Sequence, residues 1–243
     1  MAVFKEYADA AIEEILSRGH IPIIAGGTGF YIQAVLNDIT FTEMDADKAF
    51  RERLESIAKE KGSEYLHDML RAVDEKAAEE IHHNNVKRVV RALEFYHETG
   101  KKISEHNEEE SKKSSPYNFA YFVLTMDRAK LYERIEKRID LMMEAGLLDE
   151  VKALKAMGLH ADMVSMKGLG YKEILGYLSG EFSLEEAIYI LKRDTRRFAK
   201  RQLTWFRREK EVIWLEKEAY AFDEEKILEE MLKILKERGI INE

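Results

Sequence analysis

The sequence predicts an α/β protein: an incomplete, helix-rich parallel sheet carrying an all-helical insertion domain. Three observations lead there. Residues 21–36, IPIIAGGTGFYIQAVL, read as a short buried strand, a glycine turn and a helix. From residue 45 to about residue 110 only helical patterns occur. Runs rich in aromatic and β-branched residues then return at 117–126 (YNFAYFVLTM) and 212–216 (VIWLE). The division that follows is 1–40 for the first part of the core, 41–116 for the helical insertion and 117–243 for the second part of the core.

Each element has its local reason. Phe4, Tyr7, Ala11, Ile12 and Ile15 fall at helical spacing over 4–18, and Gly19 separates that helix from a strand at 21–25. Residues 37–43 form a connector. Phe50, Leu54 and Ile57 stripe a helix over 47–60, and a second helix covers 63–72. Asp74 caps a short helix reaching Ile81, and Asn84 or Asn85 caps one from Val86 to Thr99 that Gly100 ends. The polar run 105–115 has linker composition. After the strand at 117–126, Asp127 caps a helix over 128–145, with Leu131, Ile135, Ile139 and Met142 as its buried stripe and Gly146 as its stop. A helix at 147–157, a loop at 159–169 and a helix at 171–178 follow. Ser183 and Glu186 form a capping box opening a helix that meets no Gly or Pro before Arg208. The strand at 212–216 and an amphipathic helix at 224–238 complete the reading.

Composition narrows the function. The chain has 243 residues, 45% hydrophobic and 35% charged, which is a globular rather than a disordered balance. Cysteine is absent, which excludes a disulfide frame, a thiolate nucleophile and a cysteine metal site. No apolar run approaches the length of a membrane span, and the first residues lack a signal-peptide core, so a cytoplasmic protein without a membrane partner is expected. The formal charge is −8, yet residues 192–210 hold nine Lys or Arg against two acids. A basic stripe on an acidic protein is the footprint of a polyanion.

Four constellations carry chemistry. In Gly26-Gly27-Thr28-Gly29, strand-to-helix geometry aims backbone N–H groups at an anion. Gly26 and Gly27 remove side chains from the approach, Gly29 is free to take a positive φ, and Thr28 adds a hydroxyl donor. The same sequence also suits a plain tight turn. In KRDTRRFAKRQLTWFRR, residues 192–208, the cations Arg193, Arg197, Lys200, Arg201 and Arg208 cannot all face one way. Arg193, Arg197 and Lys200, with Arg201 beside them, can share a face, and Phe198, Leu203, Trp205 and Phe206 interleave. That mixture suits phosphate contact and base stacking, or a solvated face over an aromatic core stripe. Arg134 and Arg138, four apart, can grip a diphosphate or pair with neighbouring glutamates. Lys87, Arg88 and Arg91 are either a phosphate grip or a solvated helix end. His82, His83 and His106 lack metal-ligand spacing and read as surface residues. Neither G-x-x-x-x-G-K-[ST] nor a complete G-x-G-x-x-G occurs, although Gly168 and Gly170 resemble the start of the latter.

The segments IPIIAGGTGFYIQAVL, NNVKRVVRALEFYHETGK, SPYN before a strand, RIEKRIDLMMEAGLLDEV, KGLGYKEILGYL and RRFAKRQLTWFRR occur in this order. Together they resemble the tRNA dimethylallyltransferase (tRNA isopentenyltransferase) family over essentially the whole chain. The resemblance implies a P-loop-kinase-like core with a helical insertion. It implies transfer of a dimethylallyl group from dimethylallyl diphosphate, with Mg2+ on the diphosphate, to N6 of the adenine beside the anticodon, in tRNAs reading codons that begin with U. The target base is unstacked into a central channel. The family pattern places Thr28 and Arg138 at the diphosphate as catalytic contacts, with Gly26, Gly27 and Arg134 in the same donor-binding set. It places Arg51 on the tRNA, together with Lys87, Arg88 and Arg91, with Lys167, Gly168, Gly170, Tyr171 and Lys172, and with Arg197, Lys200, Arg201, Gln202, Thr204, Trp205 and Arg207. The partners expected are a tRNA anticodon stem-loop and the prenyl donor, for a monomeric protein.

One departure from the pattern has consequences. Members of the family begin with a strand and a Walker-A-type loop, followed by an Asp-Ser segment whose aspartate is the general base. Neither is in this sequence, so an N-terminally short chain with little or no turnover and an uncovered sheet edge is expected. Two rival readings stand beside this one: a non-catalytic tRNA-binding module that keeps the basic groove, and a small-molecule phosphotransferase of related architecture, against which the missing Walker loop weighs.

Overall fold

The computed structural model describes residues 2–40 and 47–242. The end of the expected connector and the start of the expected insertion, residues 41–46, lie outside them. The chain is a helix-rich α/β protein that separates into two compact units, Met1–Tyr117 and Asn118–Glu243.

The first unit is helical: α1 (Ala2–Ser17), α2 (Gly29–Leu36), α3 (Lys48–Lys61), α4 (Ser63–Val73), α5 (Glu75–Glu80), α6 (Val86–Thr99) and α7 (Ile103–Ser111). Phe4 on α1 stacks on Tyr31 of α2 with ring centroids 4.4 Å apart. Leu54, Leu66, Leu70, Val89 and Leu93 bring α3, α4 and α6 around one core, closed by Ala77, Ala78 and Ile81. Fully burying a leucine of this kind contributes about 1.5–3 kcal/mol. Asp47 caps α3 by accepting from Phe50 N, and Gly100 ends α6 in the left-handed region at φ 68°.

Two expectations fail in this unit. Residues 21–25 do not form a strand: they are extended, and Ile23 is 87% exposed. A strand exists through ladder hydrogen bonds and burial, and no described residue supplies either to this run. The expected linker at 105–115 is mostly helix α7. Its polar residues are satisfied by ion pairs, Lys76–Glu108 at 2.7 Å, Lys112–Glu108 at 2.9 Å and Lys113–Glu110 at 2.8 Å. Its start is held by Asp74, which accepts from Ser104 N at 2.9 Å and from Ser104 Oγ at 2.7 Å. Polarity alone therefore marked a surface helix rather than a loop.

The second unit contains β1 (Tyr121–Thr125), α8 (Arg128–Glu144), α9 (Leu147–Ala156), α10 (Tyr171–Leu178), α11 (Leu184–Phe206), β2 (Val212–Glu216) and α12 (Glu224–Glu237). Strands β1 and β2 pair in parallel, from Tyr121 opposite Val212 to Thr125 opposite Glu216. Four helices make the crossover that a parallel pair needs. β1 is shorter than the apolar run 117–126 because β2 offers only five partners. The residues before it are tied instead to the end of α12: Asn118 Nδ2 donates to Arg238 O at 3.0 Å, and Arg238 Nη1 donates to Phe119 O at 2.8 Å. The loop at 159–169 contains one 3-10 turn, Val164–Lys167. Ile139, Leu147, Val151, Met166, Ile174, Leu175 and Leu191 form the core that α8, α9, α10 and α11 share.

Candidate nucleic-acid interface

Helix α11 opens on its capping box, with Glu186 N donating to Ser183 Oγ at 3.2 Å and Ser183 N donating to Glu186 Oε2 at 2.8 Å. Ala187, Leu191 and Phe206 are buried. The cations of the stripe then divide into two groups. In the first half they are committed: Lys192 pairs with Asp140 at 2.6 Å, Arg196 with Glu136, Arg193 with Asp194 at 2.9 Å, and Arg197 with Asp194 at 3.4 Å. The Lys192 and Arg196 pairs pin α11 to α8. In the second half, Lys200, Arg201, Arg207 and Arg208 are exposed and have no carboxylate partner among the described residues. The stripe is thus divided, with ion-paired cations in its first half and cations without a carboxylate partner in its second.

The free half is shaped as well as charged. Arg197, Lys200, Arg201, Thr204, Trp205 and Arg208 line a cavity of about 380 Å³. The five cations do not all face one way: Arg208 lines this cavity and Arg193 does not. Arg197, Arg201, Thr204 and Arg208 follow at steps of four, three and four, about three turns in all, which returns each to one face. Arg208 is therefore a member of the cationic face that spacing counted from Arg193 had missed. The Trp205 indole N–H lies beside the Glu209 carboxylate. Burial raises the Glu209 carboxyl above the usual range, and the indole N–H beside it opposes that only partly. Arg201 stands 5.9 Å from the centroid of the Phe198 ring. Gln202 is half-buried on the same helix and engaged, and Arg207 lies beside the cavity without lining it.

The loop 167–172 is joined to this helix. Gly170 takes φ 101°, a conformation open to glycine, and its N–H donates to the buried Glu173 Oε2 at 2.9 Å. Lys172 lies 3.1 Å from Glu173 Oε1 and 3.7 Å from Asp194, the carboxylate shared by Arg193 and Arg197. The Tyr171 hydroxyl donates to Glu150. Lys167 and Gly168 are exposed. Asp194, the hub of these contacts, was not legible beforehand, because a single acid inside a basic run carries no spacing signal.

The remaining predicted residues are distributed as follows. Thr28 is exposed and precedes α2 without its side chain capping the helix. Gly29 is the buried first residue of α2 and is absent from the positive-φ glycines. Gly26 is open, since a Cβ there would meet nothing within 4 Å. Gly27 is half-buried and engaged in a contact. Arg134 and Arg138 are both exposed on α8, in the other unit, and neither forms an ion pair among the described residues. Lys87, Arg88 and Arg91 are exposed on the first turns of α6. Arg51 is committed: its Nε donates to Glu94 Oε1 at 2.6 Å and its Nη2 to Glu94 Oε2 at 3.0 Å. Among the described residues, no group of three or more His, Asp or Glu gathers to hold a metal ion. No described helix is long and apolar enough to cross a membrane.

Fold and face together define a helix-rich α/β protein with a cationic, tryptophan-walled surface for a polyanion. The IPP transferase family pattern matches residues 1–209. A tRNA dimethylallyltransferase from Lachnoclostridium phytofermentans is 58% identical over 238 residues, which cover 98% of this chain and 76% of that protein. The crystal structure of a full-length tRNA isopentenylpyrophosphate transferase from Bacillus halodurans is 41% identical, with a TM-score of 0.66 over 98% of this chain and 73% of that one. A eukaryotic dimethylallyltransferase acting on tRNA is 29% identical, with a TM-score of 0.72 over 88% of this chain and 55% of that one. The chain belongs to the IPP transferase family and is by that membership a transferase.

Proposed function

We propose that this chain transfers a dimethylallyl group from dimethylallyl diphosphate to N6 of adenine 37, next to the anticodon, in tRNAs that read U-starting codons. The observation that carries the RNA half of the reading is the set of uncommitted cations Lys200, Arg201 and Arg208, which line one cavity with Trp205, with Arg207 adjoining them in sequence. Phosphates meet the cations and an unstacked base has a ring to lie against. Lys87, Arg88, Arg91, Arg51 and the 167–172 loop extend the RNA contacts in this reading. For the donor, the Thr28 hydroxyl and the α2 N–H groups beside Gly26 and Gly27 supply neutral hydrogen bonds. Arg138 and Arg134 supply charge. In the transfer, the N6 lone pair forms a bond to C1 of the prenyl group, the C1–O bond breaks, the diphosphate leaves with the electron pair, and N6 releases one proton to water. Donors aimed at those oxygens stabilise the charge that develops there. Magnesium in this reading is held by the diphosphate oxygens. The division 1–40, 41–116 and 117–243, a cytoplasmic location and a monomeric state belong to the same proposal.

The test is paired binding. An anticodon stem-loop RNA should bind the chain and lose affinity when Lys200 and Arg201 become Glu. Dimethylallyl diphosphate should bind by calorimetry, and Arg138→Gln should weaken it. RNA binding with no donor binding would replace this reading with a tRNA-binding module that lacks catalysis. Absence of both would end it.

A further inference from the structure

The first unit contains a second cavity, of about 310 Å³, between α2 and the helices α6 and α7. It is distinct from the face on α11. One wall is aromatic: buried Phe95 lies against the His106 ring, centroids 5.0 Å apart and planes tilted by 34°. A second wall is polar. The carboxamides of Gln33, Asn37 and Asn107 line the cavity, and none hydrogen-bonds to a described residue. The acid in the lining, Glu110, is already committed, accepting from Thr40 N at 2.9 Å and pairing with Lys113 at 2.8 Å. The cation in the lining, Arg91, is exposed and has no ion pair among the described residues. The spare chemistry is therefore a ring platform, three amide edges and one positive charge.

We propose that this cavity holds a single unstacked nucleobase of the RNA loop, with Arg91 on its phosphate. A carboxamide offers both donors and an acceptor, which is the complement of a base's Watson–Crick edge. Aromatic stacking plus edge hydrogen bonds is how single-stranded RNA is read. The volume sits at the lower end of the range of about 300–1,000 Å³ for small-ligand cavities, which suits one nucleoside and not a stretch of them. An apolar side chain would leave three carboxamides unpaired, and a bare phosphate would have no use for the ring wall. The inference rests on the RNA-acting reading above and adds a base-reading subsite to it.

The experiment follows the side-chain carboxamide NMR signals of Gln33, Asn37 and Asn107 in the 15N-labelled full chain. The probes are an anticodon stem-loop RNA and, separately, the four nucleoside 5′-monophosphates. The stem-loop should shift these signals at concentrations where mononucleotides do not. Gln33→Ala with Asn107→Ala should weaken stem-loop binding about 10-fold, two hydrogen bonds' worth. Asn107→Ala alone, at an exposed position where folding is not at risk, should cost about 3-fold. Signals that stay still while the stem-loop binds through Lys200 and Arg201, with both variants unchanged, would overturn the subsite and leave the proposed function standing. Mononucleotides that shift the signals as strongly as the stem-loop would make this a free-nucleotide site and overturn the assignment to RNA. Loss of all RNA binding, including that through α11, would take both readings down.

Discussion

Arg51 straddles the carboxylate of Glu94, with Nε 2.6 Å from one oxygen and Nη2 3.0 Å from the other. Glu94 is buried, its side chain 5% exposed, while Arg51 is 44% exposed. The pair joins α3 to α6 across the core of the first unit. Removing Arg51 leaves a buried carboxylate without its counter-charge, a loss discounted because half of the arginine is already in water. Arg51→Ala should lower the urea unfolding free energy by about 1–2 kcal/mol, and Arg51→Lys by less. Three of the five guanidinium donors remain, so the RNA contact proposed for Arg51 is compatible with the pair. If Arg51→Ala weakens RNA binding without lowering stability, the interhelical role is wrong.

Asp74 joins two helix starts. It accepts from Ala77 N at 3.0 Å and from both the N–H and the hydroxyl of Ser104. Burial pushes its carboxyl upward, but the Ser104 and Ala77 bonds prevail and hold it below its ordinary value. A depressed carboxyl contributes stability above its unfolded value, near 3.8, and loses it as pH falls through the folded value. Asp74→Ala should cost about 2–3 kcal/mol, combining a lost cap with an orphaned Ser104. Asp74→Asn should remove the part of the acid sensitivity that comes from this site. Identical acid unfolding curves for Asp74→Asn and the parent chain would contradict this account.

Glu209 runs the other way. Burial holds its carboxyl above the ordinary 4.5, the neighbouring indole N–H notwithstanding. The folded state then binds its proton more tightly than the unfolded one, so this site's contribution is present at low pH and falls as pH rises through the folded value. Tyr121, whose buried phenol is pushed up to about 12 by burial and by Glu209, stays neutral across this range. Glu209→Gln should therefore gain on the parent chain in melting temperature between about pH 4.5 and pH 7. A constant difference across that range would rule the effect out.

The donor grip makes a separate claim. Thr28→Val and Arg138→Gln each remove one proposed contact to the diphosphate, a neutral and a charged one respectively. Calorimetric titration with dimethylallyl diphosphate should show Kd raised about 5-fold for the first and about 10-fold or more for the second. Dimethylallyl monophosphate should be less sensitive to Arg138→Gln. Equal affinities in all three proteins would remove both residues from the site.

What the sequence made legible follows a physical division. Caps and apolar stripes are local, so α6, α8 and α11 are readable from Gly100, Asp127 and the Ser183–Glu186 box, and β2 from VIWLE. Residues 21–25 were misread because a strand depends on a neighbour that the run itself does not specify. Helix α7 was missed because its stability lies in Lys76, Asp74 and Phe95, all distant in sequence. At the candidate site, the presence of a cationic helix was readable. Which cations are free was not, since Glu136 and Asp140 lie more than fifty positions from the arginine and lysine they neutralise.

That division of α11 gives the most direct test. The four free cations of α11 contribute about −3 to −4 to the slope of log K against log salt between roughly 50 and 200 mM, to which the other proposed contacts add. In fluorescence anisotropy with an anticodon stem-loop, Lys200→Gln with Arg201→Gln should lower affinity and flatten that slope by about 2. Lys192→Gln, which removes a cation already neutralised by Asp140, should leave the slope where it was. A slope that is flat in the parent chain, or that Lys192→Gln reduces as much as the double variant does, would contradict the account.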